Sequence, residues 1–181
     1  MMIIASPAWL GSQVDEQNPF EGDDEAMAFA VKLAGLNLDH GTGGPFAALV
    51  LDGGGRIIGA GVNQVVPERS SVLHAEITAI LVAQRTVGSH TLADAPGPCT
   101  LAASCDPCAM CLGATLWSGV RRLITGASGE DARRVGFDEG PVFRESWRYI
   151  EERGIEVRRG LRREEAAAVL DRYAREGGTV Y

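Results

Sequence analysis

Two short segments bring together residue types that can do chemistry: His74-Ala75-Glu76 and Pro107-Cys108-Ala109-Met110-Cys111. One imidazole and two thiolates are borderline or soft donors. They suit tetrahedral zinc and leave its fourth position to water. Cys108 and Cys111 are three residues apart, so on one helical turn both point to the same side. A helix N-terminus favours thiolate over thiol, which lowers the proton cost of binding a cation. Glu76, two residues from His74, is near the metal without being required as a ligand. A carboxylate so placed can take a proton from zinc-bound water and later deliver it to a ring nitrogen and a leaving amine. A lone C-x-x-C or H-A-E carries little weight. In this order, each opening a helix after a strand, the two indicate a catalytic zinc. A closed structural site would need Cys105 or Cys99 as its fourth ligand, and Cys99 reads more simply as a small buried hydrophobe. A redox pair would leave His74 and Glu76 without a role.

The elements that must position these groups follow from periodicity and turn signals. Residues 11–23 are polar, carry Pro19 and read as an approach arm, so we divide the chain into an arm over 1–23 and one domain over 24–181. From Asp24, apolar residues at helical spacing (Ala26, Phe29, Ala30, Leu33, Ala34, Asn37, Leu38) predict a helix capped by Asp23 or Asp24. Phe46–Leu51 and Arg56–Val62, joined at Asp52-Gly53-Gly54-Gly55, predict a hairpin. A helix is expected over His74–Arg85 and a strand over Cys99–Ala103. Pro107 falls in the first turn of a helix to about Trp117, and Val120–Thr125 reads as a strand. Residues 126–142 read as an irregular loop. Phe143–Glu152 reads as helical, Ile155–Arg158 as a short strand, and Arg162–Glu176 as a solvent-facing helix. Strands alternating with helices predict an α/β domain, one mixed sheet covered by helices on both faces.

Composition narrows the partners. The 181 residues suffice for one domain with a good-sized core. Lys and Arg number 17 against 24 Asp and Glu, and the net charge of -7 leaves no general basic footprint for nucleic acid. The Arg pairs at 121–122, 133–134, 158–159 and 162–163 read as solvated element ends. No stretch approaches the roughly 18 apolar residues of a membrane span. The opening MMIIASPAWL lacks a basic residue before its short apolar run and reads as a strand or a loose arm rather than a signal peptide. Cys99, Cys105, Cys108 and Cys111 crowd too closely for two disulfides, so the chain is expected to be reduced and cytoplasmic.

H-x-E followed by P-C-x-x-C is the signature of zinc deaminases. HAEITAI from His74 and SCDPCAMCLGATLW from Ser104 resemble the guanine deaminases of the cytidine-deaminase superfamily, as do GPFA from Gly44, Gly61-Val62-Asn63, and GFDEG from Gly136. The resemblance runs from about residue 24 to the end. It implies a three-layer α/β/α fold and one zinc per subunit on His74, Cys108, Cys111 and water, with Glu76 as proton carrier. It implies that Asn63 hydrogen-bonds the base and that Glu139, with Asp138 as its rival, reads the amide and amine edge. Guanine presents N1–H and its exocyclic amine side by side, two donors that one carboxylate accepts as a fork. Without the resemblance, Glu139 is a solvated loop acid and Asn63 a turn residue. Phe46, Phe137 and Trp117 are candidate walls for a flat ring, and backbone at Ala75 and Ser104-Cys105 would hold its remaining edges. Relatives end in a Tyr that closes over a site, their own or a partner's, so residues 177–181 with Tyr181 read as a lid and the chain as a homodimer. Asp106 departs from the Glu that many relatives carry there. The expected reaction is guanine to xanthine and ammonia, with water attacking C2 and Glu76 protonating N3. The alternatives are another amino-heterocycle (an aminotriazine, a nucleoside, cytosine or a pterin), tRNA adenosine, or a pseudoenzyme that keeps zinc without turnover.

Overall fold

The structure is a computed structural model that describes residues 6–17 and 19–181. The strand or arm expected over the first residues lies largely outside them. Five strands form one mixed sheet: β1 Ala47–Leu51, β2 Ile57–Val62, β3 Thr100–Cys105, β4 Arg122–Ala127 and β5 Glu156–Arg158. Their order is β2-β1-β3-β4-β5. The pairs β2–β1 and β1–β3 are antiparallel, β3–β4 and β4–β5 parallel. Asp52 makes the hairpin turn, its Oδ1 accepting from the Gly54 and Arg56 N–H groups at 2.8 and 3.0 Å. The parallel pairs need crossovers, and helices supply them.

Strand alternation sends successive side chains to opposite faces and so builds two cores. Leu49, Leu51 and Ile124 face one layer, made by α1 (Ala8–Asp15), α2 (Asp23–Asp39) and α7 (Arg163–Arg175). Ala48, Val50, Leu101, Ala103 and Leu123 face the other, made by α3 (Ala75–Val87), α4 (Ala109–Ser118) and α6 (Arg144–Glu152). The result is the expected three-layer α/β/α architecture. A short helix α5 (Gly129–Arg134) completes the set.

The two helices that carry the chemistry start at the C-terminal end of the sheet's β3 strand or beside it. Helix α3 rests on β2 through a seam of the smallest residues. A Cβ on Gly61 would overlap the carbonyl oxygen of Ala75, and one on Gly59 would overlap that of Ala79. Ala75, Ala79 and Ala83 are fully buried along this line. The seam brings backbone against backbone and fixes the height of His74 and Glu76 above the sheet.

Several local expectations are corrected. Part of the supposed arm is helix α1, held because Trp9 stacks on His40 at 5.0 Å, donates Nε1–H to Thr42 Oγ1 at 3.0 Å, and brings Leu10 into the core. Neither Asp23 nor Asp24 caps α2. Gly22 is the N-cap and both acids sit in the first turn, where the helix dipole favours them. Asp23 pairs with Arg122 and Arg158, and the Arg122 hydrogen bond holds its carboxyl below the ordinary carboxylate range. Residues 126–142 are not wholly irregular. Ser128 and Asp131 form a reciprocal capping box that starts α5. The Arg pairs are largely ion-paired: Arg159 with Asp106, Arg162 with Asp24 and Glu165, Arg163 with Asp131, Arg134 with Asp171. Helix α7 is not merely solvent-facing, because Ala166 and Leu170 are buried against the sheet.

Gly61→Ala is expected to destabilise the fold by about 1–3 kcal/mol, the usual cost of overpacking a tight contact. Urea denaturation of the two proteins measures it, and an unchanged midpoint would show that the seam is loose.

Candidate active site

His74 and Cys108 are the N-cap residues of α3 and α4, both with extended backbone, and neither side chain caps its helix. These positions ordinarily take Ser, Thr, Asp or Asn. Here both side chains turn toward a common centre. His74 Nδ1 is 3.6 Å from Cys108 Sγ and 3.5 Å from Cys111 Sγ, and the three donor atoms lie within 4.8 Å of one another. Tetrahedral zinc with bonds of about 2.3 Å to sulfur and about 2.0–2.1 Å to nitrogen sets nitrogen and sulfur about 3.5 Å apart. The donor set and its spacing therefore fit zinc. Cys105 and Cys99 stay outside the cluster: the Cys105 thiol faces the Ser128 carbonyl at 3.6 Å, and Cys99 is buried beside Leu92.

Charge at the centre is finely balanced. Cys108 is held down to about 4, first by the hydrogen bond from Cys111 and then by His74. Cys111 is pushed up, first by that same hydrogen bond and then by burial. His74 lies above its ordinary value: burial opposes its charge, but Cys108 and Glu76 outweigh burial. Glu76 is raised by burial, with the Cys108 charge adding to it. Two helix N-termini point their partial positive charge into this cluster of acids.

His74 and Cys108 of the cluster border a small cavity at the end of β3. Phe46, Asn63, His74, Glu76, Phe137, Asp138, Glu139 and Tyr181 line it, together with Ala47 and the 103–106 stretch at the end of β3. Phe137 meets Phe46 edge-on at 4.9 Å and Tyr181 at 5.4 Å. Tyr181 also stands edge-on to His74 at 6.4 Å, so in this chain the terminal residue covers its own site. Between the two rival acids the structure discriminates clearly. Glu139 is buried, whereas Asp138 is exposed and its Oδ1 accepts from the Gly140 N–H at 2.8 Å. Burial, followed by the charges of Cys108 and Glu76, raises Glu139 to about 8. The Glu139 carbonyl accepts from Ala109 N–H at 3.0 Å, which ties its loop to the first turn of α4.

One expected wall is corrected. Trp117 is 76% exposed on the far side of α4 and does not line the cavity. The Ala75 side chain is buried in the seam against β2, which leaves only its backbone, at the start of α3, for the expected contact. Two residues outside the expected set support the site. Asn37, fully buried in α2, donates Nδ2 to the carbonyls of Gly44 and Asn63 at 2.8 and 2.9 Å and accepts from Thr42 Oγ1 at 2.7 Å. Its only sequence signal is an amide at an apolar position of the helix. Asp106 accepts from Thr125 Oγ1 at 2.7 Å, from Gly129 N–H at 3.2 Å and from Arg159, whose guanidinium stacks on Trp147. It thus anchors the turn leading into Cys108.

The zinc-binding region of cytidine and deoxycytidylate deaminases matches residues 20–127. The chain belongs to that family. The deaminase is 39% identical over 126 residues to the guanine deaminase of Bacillus subtilis (strain 168), across 70% of this chain and 78% of the relative. It is 30% identical to the tRNA-specific adenosine deaminase of Buchnera aphidicola subsp. Schizaphis graminum (strain Sg), across 83% and 93% of the two chains. Among solved structures, the guanine deaminase from Nitrosomonas europaea superposes with a TM-score of 0.91 at 38% identity, covering 97% of each chain. NE0047 in complex with 2,6-diaminopurine superposes at 0.92 with 39% identity, over 99% of the deaminase and 95% of that chain. The deaminase is thus a zinc-dependent hydrolase of the three-layer family fold. Among its described residues, no helix is long and apolar enough to cross a membrane.

Cys111→Ala is expected to abolish stoichiometric zinc in the purified deaminase, and Cys105→Ala to retain it, by elemental analysis. Loss of zinc from the Cys105 variant would mean that the ligand set is wrongly drawn.

Proposed function

We propose that this chain hydrolyses guanine to xanthine and ammonia, with His74, Cys108 and Cys111 holding zinc. The observation that carries the reading is Glu139, a buried carboxylate in the cavity wall with no ion-pair partner among the described residues. Guanine brings N1–H and an amine N–H to one edge, and a carboxylate accepts both. Two such donors favour the ionised carboxylate and counter the effect of burial. Asn63, just after β2, faces another edge of the ring, while Phe46 and Phe137, packed edge-on against each other, form one wall beside it. When bound, zinc supplies Lewis acidity and a hydrolytic nucleophile at neutral pH. Glu76 accepts the proton of the water that adds to C2 and passes it to N3. A second transfer through Glu76 reaches the exocyclic nitrogen, which leaves as ammonia. Burial raises the Glu76 carboxyl, and the charge of bound zinc would oppose that rise.

Free base is favoured over tRNA on two grounds. The net charge of -7 offers little to a phosphate backbone. Tyr181 also roofs the cavity that a flipped nucleotide would have to enter with its backbone attached. Ammonia release over free bases, nucleosides, aminotriazines and an RNA hairpin decides the substrate. Guanine is expected to dominate. Glu76→Gln should lower kcat by about 10²–10⁴, the range of general acid–base catalysis. Glu139→Gln should cut turnover of guanine more than Asp138→Asn does. Preference for another amine, or equal effects of the two acid variants, would overturn the guanine reading.

A homodimer and a cytoplasmic location complete the proposal. Helix α4 is apolar outward as well as inward, with Met110 and Ala114 half-buried and Trp117 exposed. A helix apolar all round is ordinarily covered, and a second copy is the cover we infer. All four cysteines are free, as a reducing compartment requires. Light scattering should give twice the chain mass, and Trp117→Arg should shift it toward the monomer. A monomeric parent protein would remove the dimer.

A further inference from the structure

The terminal segment is tied down by one side chain that does not itself line the cavity. Tyr173, in the last turns of α7, donates its hydroxyl to the Thr179 carbonyl at 2.8 Å. Its carbonyl accepts from Gly178 N–H at 3.0 Å. The chain reverses at Gly177, whose φ of +72° favours glycine, and Gly178 then lies flat on the Tyr173 ring. A Cβ at 178 would overlap that ring, so only glycine permits the contact. On its other side the same ring stacks on Phe137, centroids 5.9 Å apart and planes at 18°. Beyond this point Val180 packs over Gly136, and Tyr181 turns in over Phe137 and His74. The Tyr181 hydroxyl is buried without a hydrogen-bond partner among the described residues. Burying an unpaired hydroxyl costs free energy, so docking of Tyr181 must be held by contacts elsewhere along the segment.

We propose that Tyr173 is a positioning residue that latches residues 177–181 shut, holding Tyr181 over the cavity and Phe137 in its wall together. The inference rests on the reading of this cavity as the substrate site. If binding needs the closed segment, weakening the latch lowers the closed fraction, and apparent affinity falls by the same factor. Saturating substrate restores closure, so kcat should not fall.

The test uses full-length, zinc-loaded Tyr173→Phe, which keeps the ring and deletes only the hydroxyl. A neutral hydrogen bond contributes about 0.5–1.5 kcal/mol, about 2- to 12-fold in an equilibrium. KM for guanine should rise by at most that factor, with kcat unchanged or higher. Carboxypeptidase A should release Tyr181 faster, a readout that needs no turnover; KM follows the closed fraction and release the open one, so the two fold-changes should multiply to that factor. In a Tyr181→Ala background the KM effect of Tyr173→Phe should vanish, because the latch then holds nothing over the site. Gly178→Ala should reproduce the Tyr173→Phe phenotype. Unchanged release of Tyr181 by the peptidase overturns the latch whatever the substrate is. A KM effect that persists undiminished with Tyr181→Ala, or a fall in kcat at constant KM, also overturns it. Faster release of Tyr181 without activity on guanine would leave the latch standing and count against the guanine reading alone.

Discussion

The contact on which the rest depends is the seam between α3 and β2. Helices ordinarily stand off a sheet by the thickness of their side chains. Here Gly59 and Gly61 let Ala75, Ala79 and Ala83 come down to backbone contact. That closeness leaves His74 level with Cys108, whose own helix starts at the end of β3 in the adjacent part of the sheet. Two helix N-termini then meet within one ligand sphere. Had β2 carried Val or Ile at these positions, as a strand interior usually would, the imidazole would stand too far from the thiols for a shared cation.

Bringing these groups together creates an electrostatic problem that only a cation solves well. Two cysteines, Glu76 and Glu139 crowd around one imidazole, and each negative charge raises the pKa of the next acid. The helix termini offset part of this. Neighbouring structure absorbs more of the load. Asp106 would add a fifth charge at the cavity, but Arg159, Thr125 and Gly129 engage it from behind. The same ion pair fixes the turn that aims Cys108. Asp106 thus serves the supporting layer as well as the cavity edge.

Much of this was legible in the residues, and what was not has identifiable causes. Long periodic helices and apolar strands announced themselves, and the donor set follows from His74, Cys108 and Cys111 alone. Helix α5 escaped because six residues with Gly129 and four charges carry no apolar period. Its one signal was the Ser128–Asp131 box. Helix α1 escaped because its stability comes from a distant partner, Trp9 on His40 and Thr42, which no local pattern reveals. The Arg pairs do stay partly solvated, but their ion partners were not legible because these are far along the chain, Asp23 for Arg122 and Asp106 for Arg159. Spacing likewise could not separate Asp138 from Glu139. Both border the cavity, and only the fold decides which of the two is buried in its wall.

The terminal segment shows how such a site handles water and selectivity at once. A cavity bordered by a metal-binding cluster must stay accessible to its substrate, yet its acids keep raised pKa values only while bulk water is kept out. A rigid roof would satisfy the second need and defeat the first. The latched segment proposed above, residues 177–181, would satisfy both, turning at Gly177 and closing through aromatic contacts. The Tyr181 hydroxyl is buried beside Asn63 without a well-formed hydrogen bond. A ring that brought a partner for it would strengthen closure, and a larger substrate trailing a sugar-phosphate chain would block it. With such a latch, size selection and dehydration of the site would come from one movement rather than from two separate devices.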